Sequence, residues 1–300
     1  MKIGVSGSSG LVGSALVPFL TASGHQVVRL VRSKPNPDEV YWSPAEGRLD
    51  ASGLEGLEAV VHLAGENITG RWTPAKKARI RDSRVQGTQL LAGTLAELPQ
   101  PPKVLVCASA IGYYGDRGEE VLREGSPPGS NFLAAVCQAW EAASQPAAQK
   151  GIRVVSLRIG VVLSPRGGAL GKMLLPFKLG VGGKIGSGRQ YLSWIAIDDL
   201  VGVIHHALTT ESLQGPVNTV APQAVTNLEF TKTLGRVLGR PTLLPLPAFA
   251  ARLAFGQMAD ELLLASARVE PARLKASGYV FRTPDLEGAL RHLLGKTRAA

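Results

Sequence analysis

The chain has 300 residues and a mass of 31.5 kDa, with 45% hydrophobic and 19% charged side chains. This composition excludes a disordered or fibrous protein, and the length allows one large domain or two that share a cleft. No apolar run reaches the roughly 18 residues that a membrane-spanning helix requires. The longest candidate, 243–255, is interrupted by Pro245, Pro247 and Arg252. We therefore expect no membrane partner.

The balance of 33 basic and 23 acidic residues gives a net charge of +10, which favours anionic partners. Only 5% of the residues are aromatic, and we find no nucleic-acid-binding motif, so a phosphate-bearing ligand is expected rather than nucleic acid. Cys107 and Cys137 have neither metal-ligand spacing nor a disulfide framework. Glycines interrupt the apolar start of the chain, which disfavours a signal peptide. These features predict a cytoplasmic protein without a metal.

Short β-branched runs alternate with segments of helical length in the first half of the chain. Strands are predicted at 2–6, 26–31, 59–63, 103–108 and 153–157, and helices at 12–23, 74–98 and 132–150. This alternation is typical of a parallel sheet with helices on both faces. The predicted fold class is therefore α/β, with a doubly wound parallel sheet.

The second half of the chain has a different pattern. The glycine-rich stretch 167–188 does not suit one regular element, and we predict a lid or substrate loop there. A strand at 194–197 precedes a helix that runs to Leu208, and Asp198 and Asp199 are predicted to cap it, with a catalytic role as the alternative. The last segment, 245–294, is predicted to be mostly helical and to form a small cap.

A glycine-rich turn, Gly7-Ser-Ser-Gly10-Leu-Val-Gly13, follows the first predicted strand and opens the first helix. In such a turn Gly7 permits the tight bend, Gly10 lets the backbone approach a pyrophosphate, and Gly13 lets the helix lie close to the strand. The helix N-terminus supplies free N–H groups and the positive end of a dipole. The sequence therefore predicts a dinucleotide site at the start of the chain.

The second predicted strand ends without the acidic residue that holds the ribose 2′-hydroxyl in NAD sites. Its end reads Arg29-Leu-Val-Arg32-Ser-Lys34, and the next acidic residue is Asp38. A guanidinium binds a phosphate through paired hydrogen bonds, whereas a carboxylate repels one. We predict NADP(H) rather than NAD(H), with Arg32 on the 2′-phosphate. The alternative is an ordinary exposed arginine at a strand end.

Several short motifs are spread over nearly the whole chain. They include His62-Leu-Ala-Gly65, Ala108-Ser-Ala110 with Tyr114-Gly115, Leu157-Arg158, and Trp194-Ile-Ala-Ile-Asp198. The chain thereby resembles the extended short-chain dehydrogenase/reductase superfamily, which contains sugar-nucleotide epimerases. Segments 65–68, 71–72, 83–84, 112–115 and 140–141 resemble an atypical epimerase-like subgroup of bacterial proteins and a mammalian relative. Residues from 245 onward resemble the C-terminal domain of unknown function that belongs to the same pattern.

The resemblance implies a Rossmann-type domain with an NADP-type site and a smaller substrate or cap domain. We place the NADP-binding domain at 1–163 plus 194–225, and the substrate or cap region at 164–193 plus 226–295. The subgroup has no well-established reaction. Together with the glycine turn, the resemblance predicts cofactor contacts from Gly7, Ser9, Gly10, Leu11, Val12, Gly13, Val31, Arg32, Leu63, Ala64, Gly65, Arg84 and Val162.

A basic run falls on and just before the predicted helix at 74–98. Its members are Arg71, Lys76, Lys77, Arg79, Arg81 and Arg84. We expect Arg84, which stands where the superfamily usually has Asn, to lie at the cofactor cleft. Lys76 and Lys77 are expected to face solvent. The alternative is that the entire run is a solvated face.

The superfamily's Tyr-x-x-x-Lys pair places an acid–base tyrosine and a lysine on one helical face. No tyrosine of this chain has a lysine four residues later, and Leu133 and Cys137 occupy the two positions on the predicted helix. The chemistry expected from the resemblance therefore lacks its usual residues.

Four candidate catalytic residues remain. Ser109 is either a hydrogen-bond donor near the nicotinamide or a structural serine at a strand end. Tyr113 or Tyr114 either supplies a proton from a loop or serves packing and turn formation. For Cys137 we favour burial near the pocket over a reactive or redox-sensing thiol.

The leading hypothesis is an NADP(H)-dependent oxidoreductase or epimerase-like enzyme that acts on a small molecule, for which an anion is one option. The alternative is a non-catalytic NADP(H)-sensing module that regulates a partner protein. A nucleic-acid binder, which the net charge allows, is the weakest of the three. The sequence leaves the substrate and the oligomeric state open.

Overall fold

The molecule is built around one large sheet, and the computed structural model describes residues 1–296. In chain order the strands are β1 (Lys2–Ser6), β2 (Gln26–Val31), β3 (Glu39–Ser43), β4 (Arg48–Leu49), β5 (Ala59–His62), β6 (Val104–Ala110), β7 (Val121–Leu122), β8 (Arg153–Ile159), β9 (Val161–Ser164), β10 (Tyr191–Leu192), β11 (Trp194–Ala196), β12 (Gly215–Thr219), β13 (Val225–Thr226) and β14 (Arg268–Val269). Eight of these form the sheet in the order β12-β8-β6-β5-β1-β2-β3-β4. Each neighbouring pair in it is parallel except β3–β4.

Helices cover both faces of this sheet. They are α1 (Leu11–Ala22), α2 (Pro74–Glu97), α3 (Phe132–Ala142), α4 (Gln145–Gln149), α5 (Gly168–Lys178), α6 (Ile197–Thr209), α7 (Asn227–Leu238), α8 (Ala248–Phe255), α9 (Ala272–Ala276) and α10 (Leu286–Leu293). On one face α1 and α6 bury Leu16 and Ile204 against Val5 of β1. On the other face α2 buries Leu91 against Leu105 of β6. The doubly wound α/β fold class is confirmed.

The strand order reverses between β1 and β5. From β1 the chain adds β2, β3 and β4 on one side, and β5, β6, β8 and β12 lie on the other side. In open α/β sheets a ligand binds at such a switch point, beyond the carboxyl ends of the strands. The segments that follow β1, β2, β5 and β6 therefore meet at one edge, where the predicted site residues lie.

Local sequence signals place most of the elements that were predicted. β1 and β2 have the predicted bounds, and α2 begins at Pro74 behind Thr73, whose side chain accepts a hydrogen bond from the Lys76 backbone. The prediction of one helix at 132–150 is wrong, because the structure divides it into α3 and α4. Among the strands of the large sheet, β3, β4 and β12 were not predicted, and outside it β7, β9, β10, β13 and β14 were not predicted either.

A second hydrophobic core lies beside the sheet. It joins Leu170 and Phe177 of α5 to Trp194 of β11, Phe230 of α7 and Leu290 of α10. The glycine-rich stretch is thus partly regular, because α5 occupies its first half. The last segment also contains β14, which pairs in parallel with β7. The domain boundaries stay a prediction.

The prediction that Asp198 and Asp199 cap α6 is wrong. Ala196 is the N-cap residue, and no side chain within residues 1–296 caps this helix. Asp199 is buried and accepts hydrogen bonds from the backbone N–H groups of Arg282 and Thr283 at 2.7 and 3.0 Å. Asp198 binds His292 of α10 at 2.8 Å. Both carboxylates therefore fasten the C-terminal segment to the nucleotide-binding half, instead of closing their own helix.

Candidate functional site

The glycine turn after β1 packs so closely that two of its positions exclude a side chain. Gly7 has a φ of +68°, and a Cβ there would lie 2.8 Å from the backbone nitrogen of Ala64. A Cβ on Gly13 would lie 2.2 Å from the Gly7 carbonyl oxygen. Gly10 is the N-cap residue of α1 and has no side chain with which to cover the helix N–H groups. The turn therefore presents free backbone donors to an anion at the switch point.

The structure brings most of the predicted cofactor-contact residues to this edge. Leu63, Ala64 and Gly65 follow β5 directly, beside the glycine turn. A Cβ on Gly168 would touch both Leu11, at 3.0 Å, and the carbonyl oxygen of Val162, at 3.6 Å. Val31 and Arg32 stand at the carboxyl end of β2, the neighbour of β1. Arg32 is exposed there, and Ser9 and Val12 lie within or just after the turn.

A buried histidine lies next to the strand that leads into the glycine turn. His62, at the end of β5, is fully buried, and its Nδ1 lies 2.6 Å from the Ser6 hydroxyl at the end of β1. Its ring meets Trp42 edge to face, with 5.5 Å between the ring centroids. Because burial disfavours the charged imidazolium, the pKa of His62 is lowered to about 4. His62 is therefore neutral at physiological pH.

Arg84 lies against the segment that follows β5. Its Nη1 donates to the Glu66 carbonyl oxygen at 3.1 Å, and its guanidinium covers the ring of Trp140 at 5.0 Å. A Cβ on Gly65 would lie 3.3 Å from the Arg84 guanidinium carbon. Burial lowers the pKa of Arg84, although an arginine remains charged. The structure thus places Arg84 behind the backbone of residues 65–66, which borders the site.

The expectation that Lys76 and Lys77 face solvent is wrong. Lys76 Nζ binds a carboxylate oxygen of Glu66 at 2.6 Å, and its side chain is 16% exposed. This contact holds the pKa of Glu66 below its usual value. Lys77 Nζ lies over the ring of Phe132, 5.1 Å from its centroid. Lys76 thereby ties α2 to the loop that precedes it, and Lys77 packs α2 against the start of α3.

A buried ion pair lies at the carboxyl end of β6 and β8. Arg158 binds both carboxylate oxygens of Glu141, each at 2.8 Å, and its side chain is 3% exposed. Ser109 donates its hydroxyl to the same carboxylate at 2.7 Å. The Ser109 proton is therefore directed at Glu141, while the serine oxygen keeps lone pairs that can accept a hydrogen bond.

The two adjacent tyrosines have different environments. Tyr114 is fully buried, and its hydroxyl donates to Asn218 at 2.6 Å and accepts from Arg158 at 3.0 Å. Burial raises the pKa of Tyr114. Tyr113 is half-buried, and the guanidinium carbon of Arg158 lies 3.4 Å from the centroid of its ring. Within residues 1–296 the Tyr113 hydroxyl makes no hydrogen bond, so it is the tyrosine whose proton is available to a ligand.

Both cysteines are buried, Cys107 on β6 and Cys137 on α3. Burial raises the pKa of the Cys137 thiol to about 12, and the nearby Glu141 adds to this rise. Such a thiol is protonated at neutral pH, and the thiolate is the reactive form. The geometry matches the burial that we favoured for Cys137 from the sequence.

A cleft of about 490 Å³ adjoins the segment that follows Tyr113 and Tyr114. It lies between the segments 115–117 and 128–131 and the π-helical turn Ala259–Leu263 of the C-terminal segment. Glu261 of that turn accepts a hydrogen bond from the backbone N–H of Leu133 at 2.9 Å, which joins the cap to the first turn of α3. The Gly129 N–H donates to the Tyr113 carbonyl at 2.9 Å, so the cleft wall is joined to the backbone of Tyr113, whose side chain does not line the cleft.

Glu141 and Arg158 were not predicted as site residues. One indication was present, because Arg158 is the only charged residue between Val154 and Ile159 in a strand predicted to be buried. A buried arginine requires an acceptor. Glu141 lies four and eight residues after Cys137 and Leu133, on the same face of α3. The partner could not be chosen from the sequence alone, because several carboxylates were available.

Within residues 1–296, no group of three or more histidine, cysteine, aspartate or glutamate residues is arranged to hold a metal ion. No helix in this range combines the length and the hydropathy needed to cross a bilayer.

The fold and the glycine turn define a dinucleotide-binding α/β protein. Residues 3–220 match the model of the NAD dependent epimerase/dehydratase family, and residues 246–293 match a domain of unknown function, DUF1731. The chain therefore belongs to the NAD dependent epimerase/dehydratase family, with a DUF1731 domain at its C-terminal end.

Relatives of this kind match the chain over nearly its whole length. Epimerase family protein Mb2239 of Mycobacterium bovis is 45% identical, over 96% of each chain. The human epimerase family protein SDR39U1 is 41% identical, over 98% of this chain and 100% of its own.

Two solved structures are also similar. A crystal structure of human SDR39U1 (isoform 2) with NADPH has a TM-score of 0.91 and 39% identity, and covers 99% of this chain and 100% of its own. A nucleoside-diphosphate sugar epimerase from Corynebacterium glutamicum has a TM-score of 0.83 and 40% identity, over 98% of this chain and 58% of its own.

Proposed function

We propose that the protein binds NADP(H) at the glycine turn and acts as an oxidoreductase or epimerase-like enzyme on a small hydroxyl or carbonyl compound. The observation that carries this proposal is the turn itself, in which Gly7 and Gly13 leave no room for a Cβ and Gly10 leaves the α1 donors open. The residues present fit a dinucleotide pyrophosphate there. The human relative crystallised with NADPH supports the same cofactor.

The cofactor would be held by three groups of residues. The backbone of Gly7, Ser9, Gly10, Leu11, Val12 and Gly13 would bind the pyrophosphate. Arg32 at the end of β2 would bind the 2′-phosphate. The chain has no aspartate or glutamate between Arg32 and Asp38 that would repel this phosphate. Val31, Leu63, Ala64, Gly65 and Val162 would line the remaining surface, with Arg84 behind residues 65–66. NADPH, when bound, supplies a hydride.

The proton would come from Tyr113 rather than from Ser109, Tyr114 or Cys137. Arg158 holds the Tyr113 ring by stacking on it, and Glu141 holds Arg158. A substrate carbonyl oxygen within reach of the unbonded Tyr113 hydroxyl would accept its phenolic proton. Ser109 keeps Glu141 in place through its own hydrogen bond and would accept, not donate, a hydrogen bond at the site.

The lining of the cleft bears on the substrate. Three carboxylates, those of Asp116, Asp260 and Glu261, and one arginine, Arg117, border it. Asp260 pairs with Arg252 and Arg117 pairs with Glu120, so Asp116 and Glu261 are the lining carboxylates without an ion-pair partner in residues 1–296. Carboxylates accept hydrogen bonds from hydroxyl groups and repel anions. We therefore propose that the part of the substrate in this cleft is a neutral polyhydroxyl group, and that any anionic group lies elsewhere.

A screen of NADPH oxidation with a panel of hydroxylated aldehydes and ketones tests this proposal. The Tyr113→Phe variant, with Tyr191→Phe as a control for loss of a half-buried tyrosine elsewhere, identifies the proton donor. Turnover that Tyr113→Phe abolishes and Tyr191→Phe retains is the expected result. Turnover unaffected by Tyr113→Phe contradicts the assignment.

A second candidate is a non-catalytic NADP(H)-sensing module. It is favoured by one observation, namely that Ser109, Tyr114 and Cys137 all direct their protons into the protein interior or keep them buried. This candidate predicts that NADPH binding changes the protease protection of the C-terminal segment while the whole panel gives no turnover. Unchanged protection removes it.

A further inference from the structure

One side of the molecule exposes an unusual number of large apolar side chains. They are Leu175, Leu179, Val181, Leu243, Leu244, Phe249 and Leu253, with exposed fractions from 51% for Val181 to 81% for Leu243. Single exposed apolar residues are common on soluble proteins, but a large contiguous patch marks a surface that binds something. We call the surface formed by these residues the α5–α8 face.

The α5–α8 face is continuous because two chain segments run side by side. The Leu246 N–H donates to the Lys184 carbonyl at 2.8 Å, and the Gly186 N–H donates to the Leu246 carbonyl at 2.9 Å. A Cβ on Gly180 would lie 3.7 Å from the ring of Pro241. The segment after α5 and the segment before α8 therefore lie side by side, which places the exposed residues Val181 and Leu244 on neighbouring segments.

The same two segments carry a one-sided charge. Residues 165–190 and 236–258 contain eight basic residues and no aspartate or glutamate. The basic residues are Arg166, Lys172, Lys178, Lys184, Arg189, Arg236, Arg240 and Arg252. Two of them are paired with carboxylates from outside the segments, Arg236 with Glu287 and Arg252 with Asp260. Within residues 1–296 the other six form no ion pair, so both segments carry an excess of positive charge, although Asp260 and Glu261 directly follow the second segment.

Basic and apolar residues share the exposed side of α5, and one arginine accompanies the exposed apolar residues of α8. The exposed residues of α5 and its C-cap include Lys172, Leu175, Lys178 and Leu179. Successive members of this set are three, three and one residues apart, so all four lie on one side of the helix. On α8, Phe249 and Leu253 are one turn apart, and Arg252 lies beside them. Apolar side chains framed by lysine and arginine are typical of helices that lie in the interface of an anionic membrane.

We propose that the α5–α8 face docks the protein on the surface of a bilayer that contains anionic phospholipid, whereas the sequence, which has no membrane-spanning segment, led us to expect no membrane partner. Leucine and phenylalanine side chains would enter the boundary between headgroups and acyl chains, and the lysines and arginines would bind lipid phosphates. A second copy of the chain fits less well, because two such faces would bring like charges together. Nucleic acid fits less well too, since aliphatic side chains provide no stacking surface for bases.

Vesicle flotation of the full chain tests the proposal. The vesicles contain either phosphatidylcholine alone or phosphatidylcholine with phosphatidylglycerol, and binding is measured at low and at physiological salt. The expected result is binding to the anionic vesicles that weakens as salt rises, with little binding to phosphatidylcholine. Equal binding to both kinds of vesicle, or binding to neither, overturns the proposal.

Two variants and one control locate the contact. The double variant Phe249→Ser with Leu253→Ser removes apolar contacts, and the double variant Lys172→Gln with Lys178→Gln removes two positive charges. Each double variant should weaken binding to the anionic vesicles about tenfold or more. Lys150→Gln changes an exposed lysine after α4 and should leave binding unchanged. All three proteins should retain wild-type circular dichroism, because the changed side chains are exposed.

The same variants separate the other occupants. Vesicle binding that survives both double substitutions overturns the assignment to this face. A concentration-dependent dimer that Phe249→Ser with Leu253→Ser dissociates, without vesicle binding, identifies a second copy as the occupant instead and also overturns it.

Discussion

Arg158 donates hydrogen bonds to both carboxylate oxygens of Glu141, each at 2.8 Å, and the Arg158 side chain is almost completely buried. The pair joins β8 to α3 and organises the polar residues around it. Ser109 binds the carboxylate, Tyr114 binds the guanidinium, and Tyr113 stacks on the guanidinium. One buried ion pair therefore sets the positions of three of the four residues that the sequence offers for catalysis.

Breaking this pair should destabilise the protein strongly. Glu141→Ala leaves the buried Arg158 guanidinium without its carboxylate, and we expect a loss of about 3–5 kcal/mol in the free energy of unfolding. Urea denaturation measures it. The double variant Glu141→Leu with Arg158→Met removes both charges and should recover most of the loss. A double variant as unstable as Glu141→Ala would show that the pair is not the cause.

Removing the hydroxyl of Tyr114 should lower the stability of the protein, whereas removing the hydroxyl of Tyr113 should not. Tyr114→Phe removes a buried hydroxyl that serves Asn218 and Arg158, and should cost about 1–3 kcal/mol of unfolding free energy. Tyr113→Phe removes a hydroxyl without a hydrogen bond in residues 1–296, and should leave stability nearly unchanged. Thermal and urea denaturation of both variants check this. Equal losses for the two would contradict the environments described here.

The glycine turn should not tolerate a methyl group. Gly13→Ala places a Cβ 2.2 Å from the Gly7 carbonyl, so the turn must shift, and we expect NADPH affinity to fall about tenfold or more. Gly93→Ala on α2 is the matched control, because a Cβ there meets no atom within 4 Å. It should raise stability by about 0.5–1 kcal/mol through its helix propensity and leave NADPH binding unchanged. Normal NADPH binding by Gly13→Ala would remove the structural basis of the site.

Stability should fall as the pH drops from about 6.5 to about 4. His62 has a folded-state pKa of about 4, below its ordinary value of 6.5, so the unfolded chain takes up the proton first. The contribution of neutral His62, about 3 kcal/mol, is complete above pH 6.5 and is lost progressively toward pH 4. His25, His205 and His206, whose pKa values are also lowered by burial, add in the same direction.

Urea midpoints measured between pH 7.5 and pH 4.5 test this dependence. NMR titration of the imidazole signals, with His62→Asn used to assign the resonance, isolates the single group. A His62 signal that titrates near pH 6.5 would contradict the burial described here.

The sequence predicted the nucleotide half well because its signals are local. β1, the glycine turn and α1 are consecutive in the chain, and their chemistry is contained in the turn. The polar network is different, because Ser109, Glu141 and Arg158 are separated by 32 and 17 residues and meet only when three elements pack. Asp199 shows the same limit. Its position suggested a helix cap, and its actual partners lie 83 and 84 residues away.

The short strands and the basic run were misjudged for related reasons. β4 has only two residues and carries no periodic pattern of its own. Lys76 was expected in solvent because a lysine on a polar helix face usually is, and only the fold brings Glu66 within 2.6 Å of its amine. Contacts of this kind depend on the path of a loop, which local sequence does not determine.

The proposed preference of the site for NADP(H) depends on Arg32. Titrations with NADPH and with NADH, monitored by tryptophan quenching, measure the affinity for each cofactor directly. They are made on the wild type, on Arg32→Ala and on the control Arg29→Ala, which changes an exposed arginine of β2. We predict that NADPH binds at least about tenfold more tightly than NADH, that Arg32→Ala removes this preference, and that Arg29→Ala retains it. Equal affinity for the two cofactors, or a preference that persists in Arg32→Ala, would contradict the account.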